Sequence, residues 1–135
     1  MRINYGNTIG FELLTIHPDG TVNIVDNTES GYTPPGGVTA QPFSSQLGEW
    51  KCVGKNKFHI RTGNYDFQVS GNPAPSKLSF NDILLTFTKD GENLEGKYRF
   101  AHYKLGTYPK DPGAQPLPNE SYGPYNISGR RFCFF

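Results

Sequence analysis

Turn chemistry constrains this chain more than any other feature. Stretches of alternating apolar and polar residues are separated by short polar turns rich in glycine and asparagine. Phe11-Glu-Leu-Leu-Thr-Ile16 passes through His17-Pro-Asp-Gly20 into Thr21-Val-Asn-Ile-Val25. Gly48-Glu-Trp-Lys-Cys52 breaks at Gly54-Lys-Asn56 and resumes as Lys57-Phe-His-Ile-Arg61, and Asp82-Ile-Leu-Leu-Thr-Phe-Thr88 reaches Leu94-Glu-Gly-Lys-Tyr-Arg-Phe100 through Lys89-Asp-Gly-Glu-Asn93. Turns of this kind reverse the chain into antiparallel hairpins, and hairpins in series close as a barrel or stack as a sandwich.

A chain of 135 residues can bury a core as one domain, so residues 1–135 are read as a single unit. Apolar residues do not recur at a helical period, while 16 Gly and 11 Pro interrupt the chain. The expected class is therefore all-β, a single antiparallel meander barrel. A net charge of +1, with basic residues scattered apart from the pair Arg130 and Arg131, gives no electrostatic case for nucleic acid or an anionic membrane. No apolar leader follows Met1, and no run reaches the length of a spanning helix, so a cytoplasmic, soluble chain is expected. Cys52 and Cys133 lack partners at metal-ligand spacing and are expected to be reduced and packed.

Two segments lack periodicity. Asp26 to Gln46 contains Tyr32-Thr-Pro-Pro-Gly-Gly37, and Gly106 to Pro124 carries five prolines, counting Pro124 itself. Both are expected to be long loops covering the mouth of a barrel. Inward parity is even at Phe58 and Ile60 but odd at the apolar Tyr65, Phe67 and Val69, so a β-bulge is expected at Gly63, the rival being two strands with a tight turn. This places Asp66 outside. In the third hairpin Ile83, Leu85 and Phe87 share one face, as do Leu94, Gly96, Tyr98, Phe100 and His102; Leu84, Glu95, Lys97 and Arg99 face out.

No nucleophile elbow, zinc-protease helix, phosphate loop or dinucleotide fingerprint is present, and no metal or cofactor is expected. Of the three histidines, His17 sits in a turn and His59 alternates outward. His102 extends an inward aromatic face towards a strand end, where an imidazole can bond a ligand carbonyl or exchange a proton near neutral pH. The expected ligand-binding residues are Tyr65, Phe67, Phe87, Tyr98, Phe100 and His102. If the chain is an enzyme, His102 and Tyr98 are its expected catalytic pair.

Thr15-Ile-His-Pro-Asp-Gly-Thr-Val22, Pro42-Phe-Ser-Ser-Gln-Leu-Gly-Glu-Trp-Lys51, Leu85 to Tyr98 and Ile127-Ser-Gly-Arg-Arg131 together resemble the small lipocalin-like barrels of the calycin type, similar in architecture to allene oxide cyclase barrels. The resemblance implies a cavity for an apolar molecule and a basic residue, Arg130 or Arg131, laid over Trp50. The segment before Phe11 is short and lacks the opening Gly-x-Trp of lipocalins, so the first strand is absent, truncated or supplied by Met1 to Gly10.

Three functions fit. The leading one is binding of a small hydrophobic, apolar or aromatic molecule inside the barrel. The second is an isomerase or cyclase acting on a hydrophobic intermediate held there. The third is an interaction protein with a filled barrel, whose incomplete first strand leaves an edge for a homodimer.

Overall fold

The computed structural model describes residues 1–6, 8–33 and 39–131. Among the described residues eight strands follow the chain: β1 (Arg2–Asn4), β2 (Ile9–Ile16), β3 (Thr21–Asp26), β4 (Gln46–Gly54), β5 (Lys57–Asp66), β6 (Lys77–Phe87), β7 (Asn93–Lys104) and β8 (Ser121–Arg130). Each pairs antiparallel with the next, and β1 also pairs with β8, so the meander closes as a barrel. The first strand is thus supplied by the N-terminal segment: Ile3 stands between Gly10 and Ile127. The open edge expected there, on which the homodimer rested, is bridged. Among the described residues no helix is long and apolar enough to cross a membrane.

The two ends of the barrel differ because their connections differ. At one end lie the tight turns between β2 and β3, β4 and β5, and β6 and β7; Asn56 takes the left-handed backbone of the second, with φ 56°. At the other end, the mouth, the long loops 27–45, 67–76 and 105–120 gather. The loop 67–76 was not foreseen: β5 stops at Asp66, so Phe67 and Val69 are not strand residues. Conversely Pro124 belongs to β8, at an irregularity where Tyr98 pairs with Tyr125 but Phe100 with Tyr122. A strand proline is tolerated at such a bulge, where no ladder donor is needed.

The waist is solid. Ile3, Val22, Ile24, Ile60, Ile83, Leu85 and Ile127 are almost completely buried and fill the barrel between its ends. Branched aliphatic side chains on inward strand positions interdigitate without polar atoms to satisfy, which is why this layer packs shut. Any ligand therefore occupies an end of the barrel and not a through channel.

The bulge expected at Gly63 is absent. From Phe58 to Gly63 β5 keeps one register against both neighbours, with Leu47 opposite Gly63 on one side and Phe80 on the other; the one shift against β4 lies at the turn, between Cys52 and Gly54. Thr62, Asn64 and Asp66 consequently point inward and are buried, while Tyr65 and Phe67 point outward, 55% and 45% exposed. The sequence pattern misleads here because this end of the barrel is lined with polar groups that bond one another, so apolar residues no longer mark the inner face.

Trp50 is half-buried at the turn end. Its Nε1 donates to the His17 carbonyl at 2.8 Å and its ring meets Phe58, centroids 5.3 Å apart. These contacts stand where a covering guanidinium was expected: Arg131 instead pairs with Glu92 at 3.9 Å. Cys52 is exposed rather than packed, and Cys133 lies outside the described residues.

Candidate functional site

Strand parity carries polar side chains into the mouth. Alternate residues of β5 (Asn64, Asp66), β6 (Ser79, Asn81) and β7 (Tyr98, Phe100, His102) share the inner face and line a cavity of about 550 Å³. Loop residues Tyr32, Gln41 and Phe43 complete its wall. Gln41 ties two loops together, its Nε2 donating to the carbonyls of Phe67, Ala74 and Pro75 at 3.1–3.2 Å. The expectation that the long loops cover the mouth is met by the described part of 27–45; Pro34 lies outside the described residues.

His102 is held between two carboxylates. Its Nε2 is 3.1 Å from Asp66 Oδ2 and its Nδ1 is 2.7 Å from Glu120 Oε2. Glu120 comes from the loop 105–120, which is fastened along β7 by the Leu117 N–H donating to the His102 carbonyl and the His102 N–H donating to the Glu120 carbonyl. Lys77 Nζ donates to the same Glu120 oxygen at 2.6 Å. A neutral imidazole carries a single N–H, so with two acceptors facing it one contact needs a second proton. Either His102 is an imidazolium between two carboxylates, or it is neutral and one carboxyl group is protonated.

Environment selects between these states. Burial lowers the His102 pKa, against the pull of the Asp66 charge, and burial raises that of Asp66, against His102 and the Ser79 hydroxyl. Burial also opposes ionisation of Glu120, but hydrogen bonds from Lys77 and His102 hold its carboxyl below the usual range. Burial thus favours the acid form of Asp66 and the neutral form of His102 across their 3.1 Å contact, while Glu120 is held towards its charged form.

A one-way hydrogen-bond chain supports Asp66. Tyr98 Oη donates to Asn81 Oδ1 at 2.9 Å, Asn81 Nδ2 to Asn64 Oδ1 at 2.9 Å, and Asn64 Nδ2 to Asp66 Oδ1 at 3.1 Å. The Ser79 hydroxyl adds a contact at 3.1 Å to Oδ2. Aligned donors fix the carboxyl group's position and polarise one another. The Tyr98 hydroxyl is spent on Asn81, and burial pushes its pKa well up, so it orients the chain rather than exchanging a proton.

The residues singled out from sequence separate accordingly. Tyr98, Phe100 and His102 meet in the mouth, with the Phe100 ring 5.6 Å from Tyr98 and 5.4 Å from His102. Phe87 faces inward but at the opposite end, stacked edge-on against Phe58 at 5.2 Å. Tyr65 and Phe67 lie outside. Asp66, expected outside, is central, and Glu120, Lys77, Asn64 and Asn81 went unrecognised. The even spacing of Thr62, Asn64 and Asp66 after Phe58 and Ile60 was the available signal. Asp66 and Glu120 converge on the imidazole and not on a common point, and among the described residues no group of three or more His, Cys, Asp or Glu is arranged to hold a metal ion. No protein-family model, curated protein or solved structure gives a significant match to this chain.

Proposed function

We propose that the chain binds a small molecule with an aromatic body and hydrogen-bonding substituents in the mouth of its barrel. The observation that carries this reading is the placement of Asn64, Asp66, Ser79, Asn81 and His102 around an open cavity of about 550 Å³, next to the rings of Tyr98 and Phe100. A pocket with apolar walls and a few converging polar groups is the usual form of a small-molecule site. The closed eight-stranded meander also suits the calycin resemblance, whose members hold ligands in such barrels. The polar floor narrows the apolar ligand expected from sequence to one with groups for Asp66 and His102. Calorimetric titration with a panel of hydroxy- and oxo-substituted aromatic compounds tests this. A saturable binder weakened about tenfold by His102→Ala supports it, and binding unaffected by both His102→Ala and Asp66→Asn overturns it.

A second reading, an isomerase or cyclase working by proton transfer, is favoured by the 3.1 Å contact between Asp66 and His102, where burial favours the acid form of the one and the neutral form of the other. Asp66 in its acid form can protonate a substrate oxygen while neutral His102 removes a proton from a neighbouring carbon, so no other reactant is consumed. Proton transfer from a positioned group contributes typically 10²- to 10⁴-fold in rate. Asp66 replaces Tyr98 as the partner of His102 in this reading. A bell-shaped pH–rate profile that loses one limb in Asp66→Asn is the expected result; a profile unchanged in that variant removes Asp66 from catalysis.

A further inference from the structure

The turn end of the barrel holds another cavity, of about 700 Å³, separated from the mouth by the solid waist. Its inner wall is apolar: Leu14 and Ile16 from β2, Phe58 from β5, Phe87 from β6 and Leu94 from β7 all occupy inward strand positions. It opens beside β1, whose pairs at this end are Phe11 and Ser128; beyond them Leu13 to Ile16 border one side of the cavity, and Arg130 and Arg131 also line it.

The charges at this opening are unequal. Lys89, Arg130 and Arg131 line the cavity against one exposed carboxylate, Asp90, which already accepts bonds from the Thr88 hydroxyl and the Glu92 N–H. The Arg131–Glu92 pair is long, at 3.9 Å, and exposed, so among the described residues it leaves most of the guanidinium's donors available. An apolar wall under a cationic opening rewards a ligand that has both an apolar part and an anionic group. We propose that this cavity is a second binding site, for an amphipathic organic anion: an apolar chain or ring lies against Leu14, Ile16, Phe58, Phe87 and Leu94, and a single carboxylate or sulfonate sits among Lys89, Arg130 and Arg131. Glu12, at the inner limit of the cavity, does not oppose an anion at neutral pH, because burial and the facing Asp26 push its pKa up to about 8.

The chain contains its own reporter. Trp50 is the single tryptophan, and its ring meets that of Phe58 in the cavity wall. The test is titration of the full chain with laurate below its micelle concentration, followed by Trp50 emission, beside dodecyltrimethylammonium, which has the same tail length and the opposite charge. The expected result is a saturable change with laurate, at least tenfold tighter than with the ammonium, and a loss of about tenfold in laurate affinity in the double variant Arg130→Gln, Arg131→Gln, both exposed positions. The imidazole resonances of His102, at the far end, stay in place. Equal affinity for the two probes, no effect of the double variant, or movement of the His102 resonances without a Trp50 response overturns the proposal. So does laurate binding seen only when the chain is shortened to end at Arg131, which would assign the cavity to Phe132-Cys-Phe-Phe135, residues outside those described.

Discussion

Glu12 and Asp26 are direct cross-strand partners on β2 and β3, both with side chains turned into the barrel and both buried. Two ionised carboxylates cannot share such a place without strong repulsion. Asp26 Oδ1 accepts bonds from the Thr28 N–H and hydroxyl, each at 2.6 Å, whereas Glu12 accepts from Gln46 Nε2 at 3.2 Å through one oxygen and its other oxygen finds no donor among the described groups. A proton on Glu12 resolves the conflict, since its carboxyl group can then donate to that of Asp26.

Stability should therefore fall as pH rises from about 4.5 to about 8. The Glu12 pKa rises from 4.5 to about 8 on folding, chiefly through burial and then the Asp26 charge. A carboxyl group whose folded pKa is raised stabilises the fold fully below the unfolded value, and that contribution is lost as pH rises through the folded value. Between about pH 4.5 and pH 8 the loss attributable to Glu12 is on the order of a few kcal/mol. Glu12→Gln, which keeps the shape and cannot ionise, should flatten this slope. Urea unfolding of both chains at pH 5, 7 and 9 checks it, and parallel pH profiles would reject the assignment.

Asp66→Asn should lower the titration midpoint of His102 further. Burial already depresses it, and the Asp66 charge is the main influence acting the other way. With an amide at position 66 that support is gone, while the Asn64 and Ser79 contacts have a carbonyl oxygen to bond. Imidazole proton shifts followed against pH give the answer; a midpoint that rises would show the carboxyl to be held as an acid throughout the range.

The strands and turns of this barrel were legible because glycine-bearing turns and alternation are local. The third hairpin places Ile83, Leu85, Tyr98 and Leu84 where alternation puts them. The mouth was not legible for the opposite reason. Asn64, Asp66, Ser79 and Asn81 are buried because they bond one another within and between β5 and β6, which single-strand patterns do not record, and the outward Tyr65 imitated a core residue. Glu120 lies 18 residues after His102, beyond a proline-rich loop, and only the fastening of that loop along β7 brings them together.

Close strand approach at two glycines should make them intolerant of the smallest side chain. A Cβ on Gly48 would lie 1.9 Å from the Arg61 carbonyl oxygen, and one on Gly96 2.1 Å from that of Leu84, both rigid backbone atoms. Gly63, where the nearest atom would be 3.7 Å away, offers ordinary contact. Gly48→Ala and Gly96→Ala should each cost about 3 kcal/mol or more, at the upper end of overpacking. Gly63→Ala should stay within about 1 kcal/mol. Thermal unfolding of the three variants separates them, and equal losses would mean that strand spacing adjusts freely.

Trp50→Phe should weaken the fold without reaching the mouth. The indole donates its only N–H to the His17 carbonyl, fixing the turn between β2 and β3 to β4, and packs on Phe58. Phenylalanine restores most of the ring contact but not the donor. The lost hydrogen bond contributes about 1 kcal/mol, and the smaller ring costs a similar amount in burial. The waist of Ile24, Ile60, Ile83 and Leu85 stands between this position and His102, so a ligand bound at Asp66 and His102 should keep its affinity within about twofold, roughly 0.4 kcal/mol. Denaturant midpoints and mouth-ligand titrations on the same preparation test both halves. A tenfold loss of mouth affinity at unchanged stability would place the indole in contact with that ligand and contradict the separation of the two ends.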